Sequence, residues 1–581
     1  MTSSPIDISS AILSSALNMQ SHDIRVDDTE EKVSLQYQEN LTLFEGGRDD
    51  IQLQLLGKKP VLKASKIRDN HQNSTCSNFI QRNWGALSVL GLACSILGTW
   101  EGLLAGGSAG AVYGFIFVWI GTACYFVVLA ELASMAPTSG GQYHWCAMLG
   151  PKEYINLLSY ITGWLSVVGW QAAFASGAFL FGTQVQRAVS LAYNSYHPKA
   201  YQGTLIMWAF LCIVFSTNMV GGGFLPRLES GLLCFHIVGF FGIMIPLVIK
   251  SHHKPEDQVF EEFLNRGSFP SQGLSWFVGL SGAAFAFGGG DAAVHMAEEC
   301  SNAAAAIPKA MILTVVINGC LGFGMLLTML FCSGNIQDAL SSRSGYPFME
   351  IFLQGTGSMG GTLAMVSVLL FAAGCSIFGM LAATSRQFWS FSRDKGVLGW
   401  SLWSKYVQGF EILLTDQNRL SRSTLDIYQS PLLTASIAAL LGLINLGSKL
   451  ALEDILSMAV AGLYSSYLIV SVLLLYRRCK GDIFRFSDAT SMQMNLPGAR
   501  LTWGPFHVPG IFGIFVNGFT VIYMTIIIFF SFWPSEMHTT AKTMNYSVVG
   551  TCGVVALAIA YYAVRARHVY QGPIMEVREP E

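Results

Sequence analysis

Two short stretches place residues capable of chemistry inside otherwise apolar runs. One is Phe287-Gly288-Gly289-Gly290-Asp291, with His295 one helical turn further on. The other is Ser95-Ile96-Leu97-Gly98-Thr99-Trp100-Glu101-Gly102. A helix in lipid satisfies its own backbone, so a glycine cluster or an acid in mid-span persists only where protein or water meets the freed groups. An acid near the bilayer centre costs about 2.5–3.5 kcal/mol even on the lenient insertion scale, and such residues mark solute and ion pathways. Where a helix unwinds, free N–H groups suit an anion and free carbonyls a cation, so a nitrogenous zwitterion matches both. Asp291 and Glu101 are the first candidates to face a substrate ammonium or carry a coupling proton. His295 is placed to pair with Asp291 or sense protons, and His236 is similar, although packing is the ordinary role of a buried histidine. Glu131, Glu298 and Glu299 read as loop anchors.

The elements that must hold these residues follow from composition. Of 581 residues, 52% are hydrophobic and only 12% charged, against about 25% charged in soluble domains. At about 20 residues per span, the apolar runs supply twelve helices, at about 84–105, 111–135, 158–186, 204–220, 229–249, 274–297, 310–332, 361–383, 430–448, 454–476, 510–532 and 547–566. The fold class is an all-α polytopic membrane protein. The two interrupted spans are the first and the sixth, which open consecutive five-helix sets. Breaks at matching positions in two halves point to an inverted-repeat secondary transporter, with the breaks facing each other at the midplane.

Residues 1–83 are polar and mixed in charge and read as a disordered tail, 84–566 as the transporter domain, and 567–581 as a C-terminal tail. With the N-terminus in the cytoplasm, 26 of the 34 Lys and Arg residues fall on cytoplasmic segments, which places both termini inside. The sequons at Asn40 and Asn73 are then cytoplasmic, and Asn545-Tyr546-Ser547 lies in the last external loop as a glycan acceptor site. The net charge of −2 gives no footprint for nucleic acid, and most of the twelve cysteines lie in apolar runs as small core residues.

Several motifs resemble a known family. Glu131-Leu132-Ala133-Ser134-Met135-Ala136-Pro137-Thr138-Ser139-Gly140-Gly141-Gln142-Tyr143-His144-Trp145 is similar to the loop after helix 2 in the amino acid-polyamine-organocation superfamily. Asp291 to Glu299, followed by Ala306-Ile307-Pro308-Lys309-Ala310, resembles the fungal amino acid/choline transporter family, which includes choline and GABA permeases. Thr99-Trp100-Glu101 and Ser385 to Asp394 fit the same pattern. The resemblance implies a five-plus-five inverted repeat with two extra helices, alternating access, and a solute held between helices 1, 3, 6 and 8. It places Ser95, Gly98, Thr99, Trp100 and Glu101, with Phe287, Gly288, Gly289, Gly290 and Asp291, along the site. It also implies a gating aromatic at Phe285 or Phe287; helix 3 offers Trp170 and Gln171 and helix 8 offers Ser376, with no family motif to fix them. The chain departs from the family in helix 1, where only Gly102 to Ala105 separate Glu101 from Gly106-Gly107. The outer half of the site is rebuilt, or a short piece is missing.

The expected function is a proton-coupled carrier of an amino acid, choline, GABA or a related amine across a fungal membrane. The plasma membrane is the first expectation, with vacuolar or other endomembranes as alternatives. A carrier of an alkaloid-type metabolite or its amino acid precursor, and a transport-inactive nutrient receptor, are the competing readings. No cofactor motif is present, and no P-loop or His-x-x-x-His pair supports an enzyme or a pump. His295 and Glu299 stand at i, i+4, but two ligands without a third do not make a metal site.

Overall fold

The computed structural model describes residues 84–97, 107–193, 195–220, 224–265, 267–334, 338–339, 345–404, 429–446, 451–485, 495–541 and 543–574. The segment 1–83 and the candidates Gly98, Thr99, Trp100 and Glu101 lie outside the described residues, as does the shortened stretch that follows them.

Each of the twelve expected spans coincides with a helix. They are α1 (Ala86–Ile96), α2 (Gly107–Met135), α3 (Ile155–Ala192), α4 (Ala200–Val220), α5 (Leu225–Lys250), α6 (Gln272–Ala286), α7 (Ala303–Cys332), α8 (Met359–Arg393), α9 (Gln429–Leu441), α10 (Ala451–Lys480), α11 (Gly510–Ser531) and α12 (Ser547–Val564). Among the described residues, nine helices are long and apolar enough to cross a membrane; α1 and α9 are shorter apolar helices. They are apolar all round, as helices packed between protein and lipid must be. Ends follow local chemistry: Pro226 occupies the first turn of α5, and the Ser271 and Ser358 side chains accept from Leu274 N and Gly361 N to cap α6 and α8.

The chief core joins α1, α2, α3, α7, α8 and α10. The 38-residue α3 is its strut, packed along α8 and α10. Two short helices outside the expected set flank it, Gln142–Leu149 after α2 and Pro347–Thr356 before α8. The chain entering α1 is stapled to the segment after α6, with Trp84 N donating to Glu299 O at 3.4 Å and Ser301 N donating to Trp84 O at 3.1 Å.

The first residues of the C-terminal segment pack on the bundle. A 3-10 turn at Ala566–His568 returns the chain to the bundle. Tyr570 is fully buried and its hydroxyl lies 2.7 Å from Ser159 Oγ of α3. Ile574 N donates to Asp394 Oδ1 at the end of α8. Packing of the Tyr570 ring and the Asp394 contact hold this stretch against the bundle.

Candidate solute-binding site

The break expected in the sixth span is present, and α1 ends where the break in the first span is expected. α1 ends at Ile96 and Leu97 is extended, at φ −77° and ψ 96°. α6 ends at Ala286 and the chain resumes helical form only over Ala292–His295. The breaks meet, since a Cβ on Gly289 would stand 2.9 Å from Ile96 Cγ2. Gly289 takes φ +90°, which side chains rarely adopt, and a Cβ on Gly290 would fall 2.0 Å from the Phe126 ring. The carbonyls freed by unwinding are met by tyrosines: Tyr125 OH of α2 donates to Phe287 O and Tyr464 OH of α10 to Ala284 O, each at 3.1 Å.

A cavity of about 880 Å³ opens beside this junction. Ser95, Ile96 and Leu97 border it from α1, Phe285, Gly288 and Gly289 from α6 and its break, Trp170 from α3 and Ser376 from α8. His236 of α5 also lines it. Gln171 does not, because its amide is turned to Thr434 Oγ1 of α9. Nor does Phe287, which is buried edge-on against Phe115. Of the two aromatics implied as gates, only Phe285 borders the cavity.

Asp291 takes another position. It is 1% exposed, lies outside the cavity wall and is ringed by donors. Oδ2 accepts from Gln142 Nε2 at 2.6 Å and from Trp170 Nε1 at 3.2 Å, while Oδ1 accepts from Tyr467 OH at 2.6 Å. His295 Nε2 is 3.4 Å from Oδ2, and its Nδ1 lies 2.9 Å from Ser139 O. Asp291 thus ties the α6 break to α3, α10 and the helix Gln142–Leu149, and His295 extends that network away from the cavity.

The ends of the bundle are unlike. At the mouth of the cavity stand Glu453, Asp454 and Glu536, and among the described lining residues there is no Lys or Arg. At the opposite end, Arg393 forks onto Glu298 at 2.9 and 3.0 Å, and Arg386 forks onto Glu299. Arg478 of α10 pairs with Glu131 of α2, whose other oxygen accepts from Val508 N at 2.6 Å. These acids anchor loops as their positions imply. Glu298 and Glu299, though, also bolt the α6–α7 connection to α8.

Residues 85–554 match the family model described as amino acid permease. The chain belongs to the amino acid permease family. Among curated relatives, it is 26% identical to amino-acid permease 2 of Neurospora crassa, over 91% of this chain and 92% of that one. It is 27% identical to the choline transporter of Saccharomyces cerevisiae, over 84% and 82%, and 26% identical to that organism's GABA-specific permease, over 86% and 85%. It is a multi-pass membrane permease, not an enzyme.

The permease also uses residues that the sequence did not mark. Tyr125, Tyr464 and Tyr467 lie in apolar runs where nothing local singles them out, and Gln142 belongs to the loop motif after helix 2. Glu229 looked like the boundary of the fifth span. Pro226 would have moved that boundary, because a first-turn proline puts Glu229 one turn inside α5.

The acceptor Asn545 is at the cavity mouth. Its Nδ2, the atom that would carry a glycan, donates to Ser531 O at 3.0 Å and Trp533 O at 3.1 Å, and its Oδ1 accepts from Ser547 N. Those bonds occupy the amide in the folded chain.

Proposed function

We propose that this permease is a secondary carrier of a small nitrogenous solute bearing a positive charge, such as choline, a basic amino acid, GABA or a polyamine, moved by alternating access and driven by protons. The observation that carries the reading is the cavity where the end of α1 meets the α6 break, with acids at its mouth, aromatic rings along its wall and no Lys or Arg among its described lining. An acidic mouth concentrates cations, and the faces of Trp170, Phe285 and Tyr464 suit an ammonium by cation–π attraction, worth about 2 kcal/mol when desolvated. Freed backbone at Gly288 and Gly289 supplies polar contacts for the other end of a zwitterion.

The basic residues Arg386, Arg393, Arg477 and Arg478 gather at the end sealed by ion pairs, which supports assigning that end to the cytoplasm. The molecule then stands open outward and closed inward, in a fungal plasma membrane. The test is uptake into proteoliposomes of choline, GABA, basic amino acids, pipecolate-like imino acids and polyamines, with and without an inward proton gradient. Accumulation of one of these that collapses with the gradient is expected. Uptake indifferent to the gradient would sink the proton part, and uptake of none would favour a receptor.

A further inference from the structure

A second buried acid lies beside the cavity and takes no part in the Asp291 network. Glu229 is 0% exposed, one turn into α5. Its Oε2 accepts from Ser95 Oγ at 3.0 Å, and its Oε1 has no hydrogen-bonding partner among the described residues. The enclosure is close: a Cβ on Gly379 of α8 would stand 2.6 Å from Oε1, and one on Gly91 of α1 would stand 2.2 Å from the Glu229 carbonyl oxygen.

The groups that face it are few. Cys375 of α8 is near enough to feel its charge. α1 brings Ser95 and, turned aside to Thr314 of α7, Cys94. His236 follows two turns along α5 itself and borders the cavity. None of the ion pairs among the described residues includes Glu229. An isolated buried carboxylate is costly enough that such a group takes up a proton instead, whereas Asp291 is ringed by donors.

Ser95 joins this acid to the solute route. It touches Glu229 on one side and borders the cavity on the other, two residues before α1 unwinds at Leu97. The geometry points to Glu229 as the proton site of the permease: a carboxylic acid while α1, α5 and α8 enclose it, a carboxylate once movement of α1 admits water past Ser95. In that step the O–H bond of the acid breaks, the proton passes to water on the side then open, and the electron pair stays on the carboxylate. The assignment rests on the proton-driven reading above and adds the residue that carries it.

Infrared difference spectroscopy of the purified full-length permease in lipid, titrated with acid and base, needs no solute. A protonated-carboxyl C=O band should titrate in the wild type, vanish in E229Q and survive in D291N. In S95A, loss of the donor to Oε2 should move the midpoint to higher pH by about 0.5–1 unit, the equivalent of one ordinary hydrogen bond. No titrating band in the wild type, or a band undiminished in E229Q, overturns the assignment. Should E229Q not fold, an unmoved midpoint in both S95A and E229D does the same. Gradient-independent uptake by the wild type sinks the proton-driven reading itself, whereas gradient-driven uptake with a band indifferent to Glu229 removes this residue alone.

Discussion

Asp291 illustrates how a costly buried acid can be held by its donors without bordering the cavity. Its carboxylate accepts from Gln142, Trp170 and Tyr467, which come from three separate elements. In D291N the amide turns a donor toward donors, leaving at least one buried group unpaired at about 1–3 kcal/mol. We expect D291N to reach the membrane, to melt at lower temperature and to lose transport by tenfold or more; unchanged melting with a shifted pH profile would instead make Asp291 a coupling group. G290A should destabilise by about 1–3 kcal/mol through overpacking, read as a lower melting temperature, with Phe126→Leu restoring part of the loss. Asp291 was legible because an acid in an apolar run stands out. Its partners were not, since Gln142 and Tyr467 lie 149 and 176 residues away and nothing local marks a tyrosine as the donor to a distant carboxylate.

Among the elements, the twelve helices were readable because apolar runs of the right length are all a bilayer asks for. The helices Gln142–Leu149 and Pro347–Thr356 were not, being short and flanked by polar residues that look like loop. On the proposed alternating-access reading, the ion pairs from Arg386 and Arg393 to the α6–α7 connection form a latch between elements that the cycle separates. Removing one partner of a buried pair costs about 3–5 kcal/mol. Since Arg393 and Glu298 retain 10% and 8% side-chain exposure, E298Q should sit toward the low end. Its expected effect is a bias toward the state open at the latched end. Ser376→Cys in the cavity wall would then label faster from that side, and unchanged labelling would count against the latch.

At the scale of the molecule, charge is distributed by function, with acids at the cavity mouth and arginines at the sealed end. Replacing Glu453 and Glu536 together by glutamine should raise the apparent KM for a cationic solute several-fold at low ionic strength and by little at high salt, because exposed charges are screened. Equal effects at both salts would mean direct contact in place of attraction at a distance. With the Asn545 amide occupied, endoglycosidase treatment should leave gel mobility unchanged.

The returning C-terminal segment has a consequence for how the protein is handled. Asp394 holds Ile574 N on one oxygen and Tyr143 OH on the other, so the backbone near the chain's end is moored to the last residues of the helix that carries both latch arginines. Truncation before Tyr570, or a bulky fusion drawn tight against Ile574, would tug on the latched end. A variant built that way for purification would report the kinetics of a loosened carrier.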